Sequence, residues 1–167
     1  MCSSDLRGDA DLVLDTTRLN VHELRARMRD FFGGGTAAGL RLSVVSFGYK
    51  YGLPVDADLV ADCRFLPNPH WIPELAPMTG QDAPVREYVL SQPGAAQFLE
   101  LYAELLRVVL PGYEREGKRF VTLAVGCTGG KHRSVAIAAE LAARVAALLA
   151  PEGGADVQIV HRDLGRE

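Results

Sequence analysis

The sequence predicts a three-layer-like α/β domain with a mostly parallel sheet, and three observations carry that reading. Apolar runs at 41–47, 59–65, 119–126 and 156–160 alternate with stretches whose apolar residues recur at helical spacing. The run RFVTLAVG (119–126) is almost continuously apolar, as expected of a parallel strand covered on both faces. Finally, GCTGGKHRS (126–134) stands between that run and an alanine-rich stretch, giving strand, glycine-rich loop and helix in order. Strands that alternate with helices in this way form layers around a parallel sheet.

The elements follow in sequence. DLVLD (11–15) reads as a short strand. Asn20 and Glu23 make a capping-box-like start for a helix carrying Leu24, Met28, Phe31 and Phe32. Gly33, Gly34 and Gly35 end that helix and open a flexible linker over 33–40. RLSVVSF (41–47) and LVADCRF (59–65) are strands, joined by a loop rich in turn formers. Residues 66–84 hold five prolines and cannot stay regular for long. Helices are predicted over roughly 84–91 and 94–110, the second with Phe98, Leu101, Leu105, Leu106 and Val109 at helical spacing. A helix over 134–149 follows the glycine loop and stops at Pro151 and Gly153-Gly154. DVQIV (156–160) is the last strand, and there are no internal repeats.

At 167 residues the chain suits one domain, or one domain plus a fragment. A formal net charge of −3 gives no global basic field for nucleic acid, so any anion site must be a local gathering of cations. Cys2, Cys63 and Cys127 are an odd number and form no CxxC pair, which argues against a disulfide framework or a zinc site and makes a reducing cytoplasm the expected compartment. No apolar run reaches membrane-spanning length, because Arg144 interrupts the longest. Met1 to Leu6 lack the apolar segment of a secretory signal, and 1–9 reads as a scar or a disordered end.

In a parallel sheet, ligands bind beyond the carboxyl ends of the strands. The residues there repeat one theme. Lys50 follows the first strand of the domain; Asp62 and Arg64 stand at the end of the second, and Asn68 and His70 come after it. Cys127, Thr128, Gly129, Gly130, Lys131, His132, Arg133 and Ser134 follow the third, and His161 and Arg162 the fourth. Glycines let successive backbone N–H groups turn inward as an anion nest. The following helix adds its positive N-terminal end, and Arg133 can grip an oxyanion. A phosphate-like anion is thus the expected ligand. No H-x3-H or HExxH spacing supports a metal, and no cofactor is required. Each residue also has a plainer reading: His70 as loop packing, His22 as helix surface, Cys63 as core, Asp62 as a partner for Arg64.

Two known phosphate-loop patterns compete for this stretch. A nucleotide-binding P-loop needs four residues between its glycines and a hydroxyl after the lysine. Here three residues separate Gly126 from Gly130, and His132 follows Lys131. The Cys-x5-Arg loop of cysteine phosphatases fits better, with Cys127 as nucleophile, Arg133 for the phosphoryl oxygens and Ser134 for the leaving step. Asp62 or Asp82 would have to act as general acid, and Gly126 stands where that loop usually has histidine.

SFGYKYGLPVDADLVADCRFLPNPHW (46–71), PMTGQDAPV (77–85), GCTGGKHRSV (126–135) and VHRDL (160–164) closely resemble, in order, the C-terminal domain of the RapZ/YvcJ family. ADLVLDTTRLNVHELR (10–25) resembles the end of that family's N-terminal P-loop domain. The resemblance implies that 10–32 is the tail of that domain and that 41–167 is the RapZ C-terminal-like domain. It further implies a regulatory protein whose enterobacterial members present a small RNA to a ribonuclease and sense glucosamine 6-phosphate. By that likeness, a phosphosugar pocket would comprise Lys50, Asp62, Arg64, Asn68, His70, Cys127 to Gly130 and His132 to Ser134. A small RNA, a ribonuclease and further copies of the chain are the partners it implies. Adapter-type members end in a basic tail; this sequence ends Gly165-Arg166-Glu167, so RNA binding is expected to be weak.

Overall fold

Four strands build one sheet: β1 (Arg41–Gly48), β2 (Leu59–Asp62), β3 (Phe120–Cys127) and β4 (Asp156–His161). They lie in the order β2-β3-β1-β4 and every pairing is parallel. Three helices flank the sheet: α1 (Ala83–Leu90), α2 (Ala95–Arg115) and α3 (Arg133–Leu149). This computed structural model describes Val21, Leu24, Met28, 40–150 and 156–166. The chain divides into two units, Met1–Ala38 and Gly39–Glu167, and the second is the α/β domain. Val21, Leu24 and Met28 are helical, as the reading of 20–32 expects. The expected strand at 11–15, the bulk of the 33–40 linker, the 1–9 segment, Cys2 and His22 lie outside the described residues.

The core follows from the period of each element. One face of the sheet contributes Leu42 and Val44 from β1, Ala61 from β2, and Val121, Leu123 and Val125 from β3, all at most 1% exposed. α2 buries Leu99, Ala103, Leu106 and Leu110, spaced by three or four residues as one helical face. α3 is buried nearly all round at its start, from Val135 to Ala138. Its alanines are small enough for the helix to pack on β1, β3 and β4 while α1 and α2 pack on it.

Two boundaries differ from the sequence reading by more than one residue, each for a local reason. β2 stops at Asp62 instead of running to residue 65, because Asp62 Oδ1 accepts the Arg64 N–H at 2.9 Å and folds the chain into a turn. α2 continues through Pro111 to Arg115, although proline removes one helical hydrogen bond. Tyr113 packs against the core, and Glu116 N–H bonds Gly112 O at 3.1 Å, which holds the last turn. The proline-rich stretch carries one short 3-10 turn, Pro69–Trp71, and otherwise turns. No helix among the described residues is long and apolar enough to cross a membrane.

Candidate functional site

Strand register gathers the chemistry. Gly48 ends β1 opposite Cys127 at the end of β3, and Asp62 ends β2 opposite Gly126. The carboxyl ends of three strands therefore open onto one loop, Thr128–His132, which leads into α3. That helix starts without a side-chain bond from its N-cap residue and with no acidic residue in its first turn; the Cys127 sulfur takes hydrogen bonds there from Ser134 and Gly130.

The expected site residues separate into a buried frame and an exposed rim. Arg133 belongs to the frame at 5% exposure. Its NH1 donates to Arg64 O at 3.1 Å and Leu66 O at 2.9 Å, and its NH2 donates to Thr128 Oγ1 at 3.2 Å. The guanidinium thereby ties the turn after β2 to the glycine loop. His132 is buried beside it, with Nε2 3.3 Å from Ala76 O. Ser134 Oγ lies 3.1 Å from Cys127 Sγ, and Gly130 N–H points to the same sulfur at 3.3 Å. Asn68 caps the 3-10 turn, its Oδ1 accepting the His70 N–H.

Lys50, Asp62, Arg64, His70 and Thr128 form the exposed rim. Lys50 N–H bonds Thr128 O at 3.2 Å, and its Nζ stands 3.8 Å from where a Cβ on Gly129 would lie. Arg64 grips the Asp62 carboxylate at 2.6 Å and stacks on the Tyr49 ring, 3.8 Å from its centroid. The Arg64 side-chain hydrogen bond holds the Asp62 carboxyl below its ordinary range, against burial. His70 stands 6.4 Å from His132, ring to ring, and half-buried Lys131 accepts Gly80 N–H at its carbonyl.

His161 and Arg162 lie behind the rim. His161 Nδ1 is 2.8 Å from the buried Ser46 Oγ, and burial pulls the imidazole below its ordinary value. Arg162 is bound to Asp163 and to Gly52 O. Asp163 was missed by the sequence reading: it is 0% exposed and accepts Gly48 N–H at 2.8 Å. A carboxylate in a cationic tail looks solvated in sequence, and its place two residues past β4 was the available signal. Gly80 was missed too. A Cβ there would meet His132 O at 2.2 Å, so this glycine lets the 79–82 turn press onto the start of α3.

Cys127 is 3% exposed. The hydrogen bond from the Cys63 thiol, with those from Ser134 and Gly130, outweighs burial and brings its thiol down to about 5. The Cys63 proton also has Gly126 O at 3.0 Å, so the full depression requires that proton to point at Cys127. A group lowered on folding stabilises the fold above its unfolded value, and that contribution is lost as pH falls through the folded one. Ultraviolet thiolate absorbance is expected to appear in the native protein between its ordinary value and about 5, and to vanish in Cys127→Ser. Absorbance that first rises above the ordinary thiol range would show that burial wins.

Each group that the phosphatase reading would use is engaged within the protein. The sulfur is buried, and Arg133 spends three donor contacts on the protein's own oxygens. Asp62 is paired with Arg64, and Asp82 accepts the Thr79 N–H at 2.7 Å and hydroxyl at 2.9 Å. Among the described residues no group of three or more His, Cys, Asp or Glu side chains could hold a metal ion.

Residues 40–165 match the family model described as the RapZ C-terminal domain. A nucleotide-binding protein of Frankia alni is 67% identical over 164 residues, 98% of this chain and 55% of its own length. One of Thermobifida fusca is 64% identical over 162 residues, covering 97% of this chain and 53% of its own. One of Streptomyces coelicolor is 64% identical over 163 residues, 98% and 53% respectively. The chain thus spans about half the length of the curated relatives it matches. With a family model matched across the whole α/β domain, the chain belongs to the RapZ C-terminal domain family.

Proposed function

We propose that this domain is a regulatory module that binds a phosphorylated small molecule, a phosphosugar such as glucosamine 6-phosphate or a nucleotide, on the Thr128–His132 loop. The observation that carries the reading is the setting of Lys50: its ammonium stands over Gly129, next in the chain to exposed Thr128, on the loop that leads into α3. A dianion placed there meets a full cation, a helix N-terminus and a hydroxyl together. A second feature supports it. Arg133 Nε is buried with no acceptor among the described residues, which costs about 1–3 kcal/mol that a ligand oxygen can offset. The names of the relatives speak of nucleotide binding, and a role in presenting RNA to a ribonuclease is the wider function that family membership suggests. A formal charge of −3 confines any such RNA contact to this edge.

Lys50 is the clean position to test, because Arg133→Ala would also remove the frame's own contacts. Calorimetric titration with glucosamine 6-phosphate should show binding by the native protein. Lys50→Ala should weaken it about tenfold or more, the loss of one charged hydrogen bond (~1.5 kcal/mol). Native protein that takes up neither glucosamine 6-phosphate, nor ATP, nor phosphate refutes the proposal.

A further inference from the structure

Cys63 and Cys127 are far apart in sequence and neighbours in the sheet. The β2–β3 ladder ends at Asp62 opposite Gly126, and the next residue on each chain is a cysteine. Cys63 N–H donates to Gly126 O at 2.9 Å, so the ladder spacing persists to this pair. Adjacent strands lie about 4.8 Å apart, inside the roughly 4.4–6.8 Å between α-carbons that a disulfide spans. Both side chains are on the helix-covered face, in the same core cluster as Ala61 and Val125, and both thiols are free. Their environments are unequal. Cys127 Sγ is met by the Ser134 hydroxyl and the Gly130 N–H, which suit a thiolate, whereas Cys63 Sγ faces a carbonyl, which suits a thiol.

We propose that Cys63 and Cys127 form a redox-active dithiol beneath the glycine loop, closed to a disulfide by a peroxide. The Cys127 thiolate attacks one peroxide oxygen; the O–O bond breaks, the other oxygen leaves as an alcohol or water after taking up a proton, and the sulfur becomes a sulfenic acid. The Cys63 sulfur then attacks the Cys127 sulfur; the S–S bond forms, the S–O bond breaks, and the hydroxide leaves as water with the Cys63 proton. Two thiols and one peroxide thus give one disulfide, one alcohol and one water, a two-electron oxidation. The directions of the two thiols agree with these roles: burial raises Cys63 well above its ordinary value, while Cys127 is lowered.

Closure has a structural consequence. The Cys127 sulfur accepts the Gly130 N–H, and Gly130 in turn is pressed against Gly48 and Asp163. A sulfur drawn toward Cys63 and stripped of its charge releases that N–H, so the loop loses its fixed shape. The effect on ligand binding rests on the function proposed above; the disulfide itself does not.

The test uses the full chain carrying Cys2→Ser, so that only this pair remains. Treatment with hydrogen peroxide should lower the intact mass by two hydrogens, yield a linked Cys63–Cys127 peptide on digestion, and be reversed by dithiothreitol. Cys127 driven to sulfinic acid while Cys63 stays alkylatable in denaturant, or both thiols surviving intact, overturns the dithiol. In the bridged protein, affinity for glucosamine 6-phosphate should fall at least tenfold and recover on reduction. Unchanged affinity in fully bridged protein overturns the coupling to the loop. Reduced protein that does not bind the sugar counts against the proposed function alone, since the mass readout is independent of it.

Discussion

Replacing Asp163 with alanine is expected to cost about 3–5 kcal/mol, because it leaves the partners of a fully buried carboxylate uncompensated. Oδ2 accepts the Gly48 N–H at 2.8 Å and Arg162 NH2 at 2.7 Å; Oδ1 accepts Arg162 Nε and Arg166 NH1, each at 3.0 Å. Arg166 is more than half exposed and can turn to water, and Arg162 partly so, which favours the lower end of that range. The Gly48 N–H has no such escape: it lies at the end of β1, under the glycine loop. Urea unfolding is the measurement, with a fall in Tm of roughly 10 °C or more alongside. A loss below about 1 kcal/mol would show that the end of β1 and the segment after β4 hold together without it.

Asp163→Asn keeps a neutral acceptor and should lose about half as much. Its pH dependence supplies a second check. Burial by itself pushes the Asp163 carboxyl up, but the Arg162 hydrogen bond, the Gly48 N–H and the charges of Arg162 and Arg166 together bring it below its ordinary value. A carboxyl lowered on folding stabilises the native state above its unfolded value, roughly pH 4, and that contribution disappears as pH falls through the folded one. The native protein should therefore lose stability on acidification below about pH 4 more steeply than Asp163→Asn.

The glycine loop was legible in the sequence because its signal is local: a buried strand, closely spaced glycines, cations and a helix start within one short window. The parallel sheet was legible for the same reason, since each strand announces itself by composition. What each cation does was not legible. Arg133 in sequence is a cation beside an anion nest, yet its NH groups bond the carbonyls of Arg64 and Leu66, 69 and 67 residues away. No spacing rule encodes a contact set by the order of strands. The Cys63–Cys127 pair is hidden likewise until β2 is known to lie beside β3. Glycines are ambiguous in a different manner: sequence shows that a side chain is missing but not what occupies its space. Gly48 reads as the start of a loop, Gly80 as part of the proline-rich stretch and Gly126 as the end of a strand, whereas each is a point where another part of the chain would collide with a Cβ.

That ambiguity makes the loop glycines a decisive test. Gly130→Ala is expected to destabilise the domain by about 2–5 kcal/mol and to abolish ligand binding. Gly130 has φ +78°, a conformation that costs an L-residue about 1–2 kcal/mol. The new methyl would also stand 2.8 Å from Gly48 N, 3.0 Å from Asp163 Cβ and 3.1 Å from Phe47 C, and crowding of this kind typically adds about 1–3 kcal/mol. Two of those three atoms are backbone and cannot swing aside. Gly48→Ala isolates the crowding, since Gly48 has an ordinary φ of −107° while its Cβ would lie 2.6 Å from Gly129 C. It should destabilise by the steric part alone, about 1–3 kcal/mol. Gly129→Ala is the counterpart: its Cβ would meet only the flexible end of Lys50, at 3.8 Å. Stability should stay within about 0.5 kcal/mol of native. Binding should nevertheless fall, because the methyl occupies the space between the loop backbone and the Lys50 ammonium where the phosphate is proposed to sit. Denaturant melts of the three variants, set beside their titrations with glucosamine 6-phosphate, separate the two effects. A Gly129→Ala protein that is stable and binds the sugar as the native chain does would move the ligand off this loop.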